Sequence, residues 1–485
     1  MKRIDTNTIN IHKIPSLVLM ERAAISVVDS ISSHFPAAND IYVICGPGNN
    51  GGDGVAIARL LHLSGKNVNC VVIGDKAKFS DQLCEEIDIA KSYGLEIDYS
   101  FNENSVNNCD LLVDAMFGIG LTRGLEGDFL HATKLINKCA KAVLAVDMPS
   151  GYDTDTGKLL GEAGVCANLT VSFAYMKKGL LLGDCKSAAG KIEIADVGIY
   201  IDDEDDYVKA LDDSIFSFIS PRPVDANKGT CGKLLVIAGS ESIYGACYLS
   251  AKSALATGTG LVKIFTHQNN IASIQQNLPE AMYLSYEDYD ENQLINAMKW
   301  ADVILIGPGL GTGQVSEKIM DLVLSNSSCP TVIDADGINL AAGKRGMLKA
   351  LCKRVPVILT PHLKEMERLT DIPLMDIKYN MEITARDFVK EYGCRLVLKD
   401  STSIVATPKL TAYAFSGNEA LATPGSGDVL AGVIASFLAQ KVNIDLDIAP
   451  MAAAHLHGLA GTKASAKVGV RGVLASDIID ELKIL

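Results

Sequence analysis

Short apolar, β-branched runs alternate with longer helical stretches along the whole chain, the pattern of α/β layering. In the first half the runs at 41–45, 68–73, 111–115, 143–147 and 169–173 read as buried strands. The second half repeats the style at 233–238, 261–265, 303–306, 331–334, 357–360 and 396–399. Several runs end in Gly, Asp or Asn, at the carboxyl ends of strands where open α/β sheets place their ligands. Between the halves stand Ile201-Asp202-Asp203-Glu204-Asp205-Asp206 and then Ser220-Pro221-Arg222-Pro223. An acidic run followed by two prolines reads as a linker. The expected division is therefore 1–211 and 212–485, two α/β domains with no short repeat.

Composition narrows the partners. The chain has 485 residues, 48% of them apolar, enough for two full cores. Its 44 basic and 58 acidic residues leave a formal charge of −14, which argues against non-specific nucleic-acid binding. A phosphate-bearing ligand remains compatible, because helix N-termini bind anions without net positive charge. Twelve dispersed cysteines with no CxxC fit a reducing compartment and remove the usual zinc patterns. The first apolar run, 14–20, is broken by Pro15 and Ser16 and followed by Glu21-Arg22, a poor signal peptide. No run approaches the ~20 apolar residues of a membrane span. The expectation is a cytoplasmic protein without membrane contact.

Gly46-Pro47-Gly48-Asn49-Asn50-Gly51-Gly52-Asp53-Gly54 follows a strand and opens a helix expected at 55–63. Five glycines in nine residues let backbone approach a ligand, and the amides of the helix start point at it. Read literally, Gly46 to Gly51 matches GxGxxG, with Asp75 after the next strand, so a dinucleotide fingerprint is one reading. Asp53 opposes it, since a carboxylate inside a pyrophosphate cradle repels phosphate. The carbonyls of Asn49 and Asn50 suit a cation better. Asp114 and Asp147 end two further strands, the first followed by Gly118, Ile119, Gly120, Leu121, Thr122, Arg123 and Gly124, the second by Met148-Pro149-Ser150-Gly151. Each Asp alone could simply cap a turn; three such ends in one sheet are harder to dismiss.

The Gly-rich string with Asp-Met-Pro-Ser-Gly ~95 residues on, and the opening Ile14-Pro15-Ser16-Leu17-Val18-Leu19-Met20-Glu21-Arg22-Ala23, resemble the NAD(P)H-hydrate epimerase domain over about residues 1–205. The resemblance implies a Rossmann-like three-layer α/β/α domain. It implies a potassium ion held by Asn50, Asp114 and Ser150. Asn49, Asn50, Gly51, Gly52, Asp53, the 118–124 loop and Asp147 would contact the hydrated dinucleotide. Asp147 would be the acid/base group that inverts the hydrated ring carbon.

The second half carries Asn418 and then Thr423-Pro424-Gly425-Ser426-Gly427-Asp428, opening an apolar helix expected at 429–438. That helix start is an anion hole, and Asp428 in its first turn is placed to take a proton from a hydroxyl attacking phosphorus. The Gly-x-Gly-Asp resembles the ribokinase-like fold. With Gly307-Pro308-Gly309-Leu310-Gly311, Thr360-Pro361-His362, the Lys399 strand end, Ser242-Ile243-Tyr244-Gly245-Ala246 and Gly258-Thr259-Gly260, it resembles the ADP/ATP-dependent NAD(P)H-hydrate dehydratase domain over about residues 225–485. The resemblance implies nucleotide along Lys399, Asp400, Ser401, Thr402, Ser403, Asn418, Gly425, Ser426 and Gly427. Hydrate would meet Ala246, Gly309, His362 and Asp428. Mg²⁺ would bridge phosphate oxygens. Lys364 and Asp400 depart from the family's usual residues.

The expected activity is bifunctional: epimerising the R and S hydrates of NADH and NADPH, then dehydrating the S form with ADP or ATP, in a protein that self-assembles. A small-molecule kinase fused to a Rossmann-like dinucleotide-binding domain is the enzymatic alternative, and a nucleotide-sensing scaffold without turnover the non-enzymatic one. His455 and His457, two apart on a helix, cannot share a metal and read as packing or surface residues.

Overall fold

The computed structural model describes residues 2–200, 209–287, 289–440 and 444–482. The acidic run at 201–206 lies outside them. The chain divides into two units, residues 1–206 and 207–485. The division falls slightly ahead of the expected boundary, because the short strand Lys209–Ala210 pairs with Thr411–Ala414 of the second unit.

The first unit is one seven-stranded sheet. Its strands are β1 (Asp40–Cys45), β2 (Asn67–Val72), β3 (Ile97–Asp98), β4 (Leu111–Ala115), β5 (Val143–Val146), β6 (Leu169–Phe173) and β7 (Lys191–Ala195). Their order is β3-β2-β1-β4-β5-β6-β7, parallel throughout. Both faces are covered, as a parallel sheet requires. Alternate residues of β1 show it: Ile41, Val43 and Cys45 join the core formed with helices Ser16–His34 and Asn49–Leu63. Tyr42 and Ile44 join the core on the other face with helix Gly127–Cys139. The strand order reverses between β1 and β4, and a crevice opens there at the carboxyl ends.

The second unit uses the same scheme. Its strands are β8 (Lys209–Ala210), β9 (Lys233–Ile237), β10 (Leu261–His267), β11 (Met282–Tyr286), β12 (Val303–Ile306), β13 (Thr331–Ile333), β14 (Val357–Leu359), β15 (Arg395–Leu398), β16 (Ser403–Ala406) and β17 (Thr411–Ala414). The order is β11-β10-β9-β12-β13-β14-β15-β16-β17-β8. The run from β11 to β15 is parallel, and β16 is antiparallel to both β15 and β17. Its switch point lies between β9 and β12. Helices Gly245–Ala256, Ser426–Ala439 and Ala449–Val468 contribute to one continuous core with the central strands.

Two helix starts differ from the sequence expectation. The first begins at Asn49, not at 55, so Gly51, Gly52 and Gly54 lie inside it. Glycine disfavours a helix interior by about 1 kcal/mol, but close packing demands it here. A Cβ on Gly54 would sit 2.5 Å from Ala115 Cβ, and one on Gly51 only 1.9 Å from the Gly46 carbonyl oxygen. The second begins at Ser426 rather than 429.

Candidate active sites

In the first unit the turn after β1 leads to a helix capped by Gly48, which supplies no side-chain partner for the first amides. Asn49, Asn50 and Asp53 face a cavity of about 500 Å³ that Gly118, Ile119, Gly120, Leu121, Asp147 and Lys177 also line. Gly51 and Gly52 stand behind that wall. A Cβ on Gly52 would lie 2.9 Å from the tip of Met20, so Gly52 seats the turn against the helix before β1, while Gly51 packs on the backbone of Gly46. Thr122 and Arg123 are exposed, and Gly124 packs on Gly161, away from the cavity lining.

Asp114 ends β4 fully buried. It accepts hydrogen bonds from Ser150 N (2.9 Å), Ser150 Oγ (2.7 Å) and Met116 N (3.2 Å). Burial pushes its carboxyl up to about 6, against the pull of those bonds. Ser150 Oγ in turn accepts from Phe117 N at 2.9 Å and lies 3.3 Å from the Phe117 carbonyl oxygen. A Cβ on Gly118 would be 2.9 Å from Asn50 Oδ1 and 3.4 Å from Asp147 Oδ2, so these groups meet at one point. The buried Asn50 Nδ2 has no partner. Apart from Asp147, the oxygens near this turn are the Asn50 amide, the Ser150 hydroxyl, the Phe117 carbonyl and the Asp114 carboxylate. Among the described residues no group of three His, Cys, Asp or Glu could hold a metal ion. Such a set fits a large monovalent cation and not a zinc-type or multi-carboxylate site.

Asp147 follows β5 with φ +67°, a left-handed conformation that costs a non-glycine residue about 1–3 kcal/mol. The turn ends the strand at Val146 and aims the carboxylate inward. Its Oδ1 accepts from Lys177 Nζ (2.5 Å), Phe173 N (3.1 Å) and Ser172 Oγ (3.3 Å). Lys177, buried, also donates to the Phe173 carbonyl at 2.6 Å. Oδ2 is left toward Gly118. Asp5, from the first helix, completes the acidic wall. Burial first, then Asp147, Glu86 and Asp5, hold the Asp53 carboxyl well above the usual carboxylate range, while Lys177 opposes.

In the second unit the carboxyl ends of β9, β12, β13, β14 and β15 supply the matching set. Gly239 N donates to the Pro308 carbonyl across the switch point at 2.8 Å. Gly309, at φ +60°, abuts Ile243 and Ala246; a Cβ there would come within 2.8 Å of Ile243 Cγ2 and 3.0 Å of Ala246 Cβ. Asp334, after β13, accepts from Lys399 Nζ (2.7 Å) and Thr360 Oγ1 (2.6 Å). Lys399 Nζ lies 3.3 Å from where a Gly427 Cβ would be. Burial pushes Asp428 up to about 7; Asp334 and Asp336 add to this and Lys399 opposes it. Only glycine fits easily at Gly425, whose φ is +88°, since a Cβ there would lie 2.4 Å from Leu249 Cδ1.

His362 caps helix Leu363–Thr370, its Nδ1 accepting from Lys364 N (3.1 Å) and Glu365 N (3.2 Å). Burial, then Lys399, lower its pKa. Its backbone bridges to Lys399. Residues 399–403 form the tight connection between β15 and β16: Asp400 and Ser401 are exposed, Thr402 is buried and Ser403 half-buried. Lys364 is exposed as well. Asn418 Oδ1 accepts from Ala420 N (3.1 Å), and its Nδ2 donates to Ser465 Oγ (2.9 Å), so this amide braces its own loop. Ser426 Oγ lies 3.1 Å from His457 Nε2. His455 and His457 are both buried, and they face different partners, since His455 Nε2 meets Asp213 at 2.8 Å.

Sequence reasoning missed Lys177 and Asp334, and it read His457 as a packing or surface residue. Asp334 carried a usable signal, because it ends an apolar run just as Asp114 and Asp147 do. Lys177 and His457 carried none, since their partners lie 30 and 31 residues away.

Two doubly wound sheets, one edge gathering oxygens around a buried carboxylate paired with a lysine and the other a helix N-terminus with a raised Asp, define a two-site nucleotide-processing enzyme. Residues 234–483 match the sequence model of the NAD(P)H-hydrate dehydratase family, and residues 16–179 match that of the YjeF-related protein N-terminus. The bifunctional NAD(P)H-hydrate repair enzyme of Moorella thermoacetica is 31% identical, over 99% of this chain and 94% of its own. That of Escherichia coli is 32% identical, over 96% and 88%. A ribokinase-like superfamily protein from Enterococcus faecalis superposes with a TM-score of 0.51 at 29% identity, covering 58% of this chain and 96% of its own. The chain belongs to the family of bifunctional NAD(P)H-hydrate repair enzymes. Its first unit is the epimerase and its second the dehydratase. No helix among the described residues is long and apolar enough to cross a membrane.

Proposed function

We propose how the two sites divide the work. In the epimerase cavity Asp147 takes the proton of the hydrated ring carbon's hydroxyl through Oδ2 as that carbon's bond to the ring nitrogen opens to a carbonyl; the nitrogen re-adds to the carbonyl's other face and Asp147 returns the proton to the oxygen. Lys177, Phe173 N and Ser172 hold the other oxygen, which fixes the orientation of the carboxylate. Asn50 Oδ1, Asp114, Ser150 and the Phe117 carbonyl would hold a potassium ion, which supplies fixed positive charge beside a phosphate-bearing substrate. The meeting of Asn50 Oδ1, Gly118 and Asp147 Oδ2 at one edge of the cavity carries this reading, and the unpaired Asn50 Nδ2 would donate to an acceptor oxygen of the substrate. Asn49, Asp53 and residues 118–121 would line the dinucleotide; Gly51 and Gly52 would act by letting the turn pack closely.

In the dehydratase crevice Asp428 takes the proton of the hydrate's hydroxyl as that oxygen attacks the terminal phosphorus of ADP or ATP. The nucleotide departs one phosphoryl group shorter; the C–O bond to the new phosphate then breaks, the neighbouring ring carbon gives its proton to the departing phosphate, and the ring double bond returns. The amides of Ser426 and Gly427 and the ammonium of Lys399 would face the phosphoryl oxygens. Ala246, Gly309 and His362 would flank the hydrate. Mg²⁺ would arrive on the nucleotide's own phosphates, in keeping with its habit of using few protein ligands. Twelve free thiols support a reducing, cytoplasmic setting. Self-association is proposed from the family resemblance and is open to light scattering.

The test is R-hydrate epimerisation by the full chain in potassium and in choline buffers, with Asn50→Ala alongside. Activity that falls in choline and responds weakly to potassium in the variant supports the reading. Equal activity in both buffers contradicts it.

A further inference from the structure

Helix Ala449–Val468 runs behind the loop that leads into the Gly-Ser-Gly-Asp turn and holds it at several points. Thr462 Oγ1 donates to the Ser416 carbonyl at 2.8 Å, and Asn418 Nδ2 donates to Ser465 Oγ at 2.9 Å. Gly458 and Gly461 allow the approach, since a Cβ at either would strike Ser416 or Leu421. These contacts are packing and bracing. One contact from the same helix instead reaches a reacting element: His457 Nε2 lies 3.1 Å from the hydroxyl of Ser426, the first residue of helix Ser426–Ala439. His457 is 7% exposed and Ser426 6%.

A buried imidazole opposite a buried hydroxyl determines where that hydroxyl's single proton points. Burial, and secondarily Lys399, push the His457 pKa down to about 4, so the ring is neutral across physiological pH. In the tautomer that carries its proton on Nε2, the ring donates to Ser426 Oγ, and the hydroxyl cannot spend its own proton on the ring. The proton is free to point out of the helix start, where Gly427, Lys399 and Asp428 converge.

We propose that His457 is a positioning residue for the dehydratase: it fixes the rotamer of Ser426 so that the Ser426 hydroxyl donates to the phosphoryl group in transfer. The inference rests on the assignment of Ser426 to the phosphoryl cradle. It adds a donor set by a neutral histidine from a separate helix to the amides already there, and uses a residue that cannot compete for the anion as a cation would.

The experiment is a double-mutant cycle in the full chain with Ser426→Ala, His457→Ala and the double variant. The readouts are kcat and KM for nucleotide in S-hydrate dehydration, with thermal unfolding of each variant. Each single change is expected to lower kcat about tenfold, the size of one well-aimed hydrogen bond to a charged group, with KM for nucleotide changed less than about threefold. His457→Ala is expected to cost nothing further in the Ser426→Ala background. His457→Gln retains a neutral donor and is expected to recover at least half of the lost rate; it also carries the cycle if the alanine variant is unstable. Costs that multiply in the double variant, or a His457→Gln enzyme that is folded but as slow as His457→Ala, overturn the positioning role while leaving the cradle intact. A Ser426→Ala enzyme with unchanged kcat removes the hydroxyl from phosphoryl transfer and overturns the positioning role with it, while the amides and Lys399 keep theirs.

Discussion

Replacing Asp428 by Asn removes the proposed base and an unfavourable buried charge at once, and the two effects have opposite signs. The carboxyl is raised from 3.8 to about 7, chiefly by burial and next by Asp334. Holding it ionised in the fold therefore costs on the order of 4 kcal/mol relative to water. A folded pKa above the unfolded one means the folded state binds the extra proton between those values. The penalty is absent below about 4, grows as pH rises to about 7, and is constant above. Asn carries no charge to bury, so the variant gains on the parent across that same window. Calorimetric unfolding of the full chain at pH 5 and pH 8 should show the variant's advantage growing by roughly 2–3 kcal/mol. Dehydration should fall by about 10³-fold or more, the scale of lost general base catalysis. The parent's kcat/KM should rise with pH through about 7, as the base ionises. A variant whose relative stability is the same at pH 5 and pH 8, or a parent rate that falls as pH rises through 7, would refute the buried-base reasoning.

Lys177→Met leaves Asp147 buried without its cation. It should destabilise the first unit by about 3 kcal/mol and slow epimerisation at least ~100-fold, checked by denaturant unfolding and an R-hydrate assay. Gly118→Ala places a methyl 2.9 Å from Asn50 Oδ1 and 3.4 Å from Asp147 Oδ2. It should impair epimerisation about tenfold or more with little change in unfolding, because the space it fills belongs to the ligand and not the core.

Much of this was legible in the chain because parallel sheets announce themselves. Strands buried on both faces must be continuous apolar runs, and the residues ending them at the carboxyl edge stand out: Asp114, Asp147, Gly307 and His362 were visible for that reason. Edge strands such as β7 and β11 were not, since Lys191–Ala195 and Met282–Tyr286 mix polar and apolar residues and carry less burial. The early start of helix Asn49–Leu63 was hidden by three glycines that local propensity would exclude and tertiary packing requires. Lys177 and His457 escaped for a different cause. Their importance is a contact with one atom of a distant residue, and no spacing rule encodes it.

The central claim is that one polypeptide carries two separate catalytic edges. The most direct measurement follows R hydrate supplied with ADP or ATP to Asp147→Asn and Asp428→Asn enzymes, recording epimer ratio, phosphate release and recovery of the reduced-nicotinamide absorbance together. Asp428→Asn should equilibrate the epimers without releasing phosphate, and Asp147→Asn should leave R untouched while still repairing added S hydrate. Loss of both activities in either folded variant would contradict the assignment.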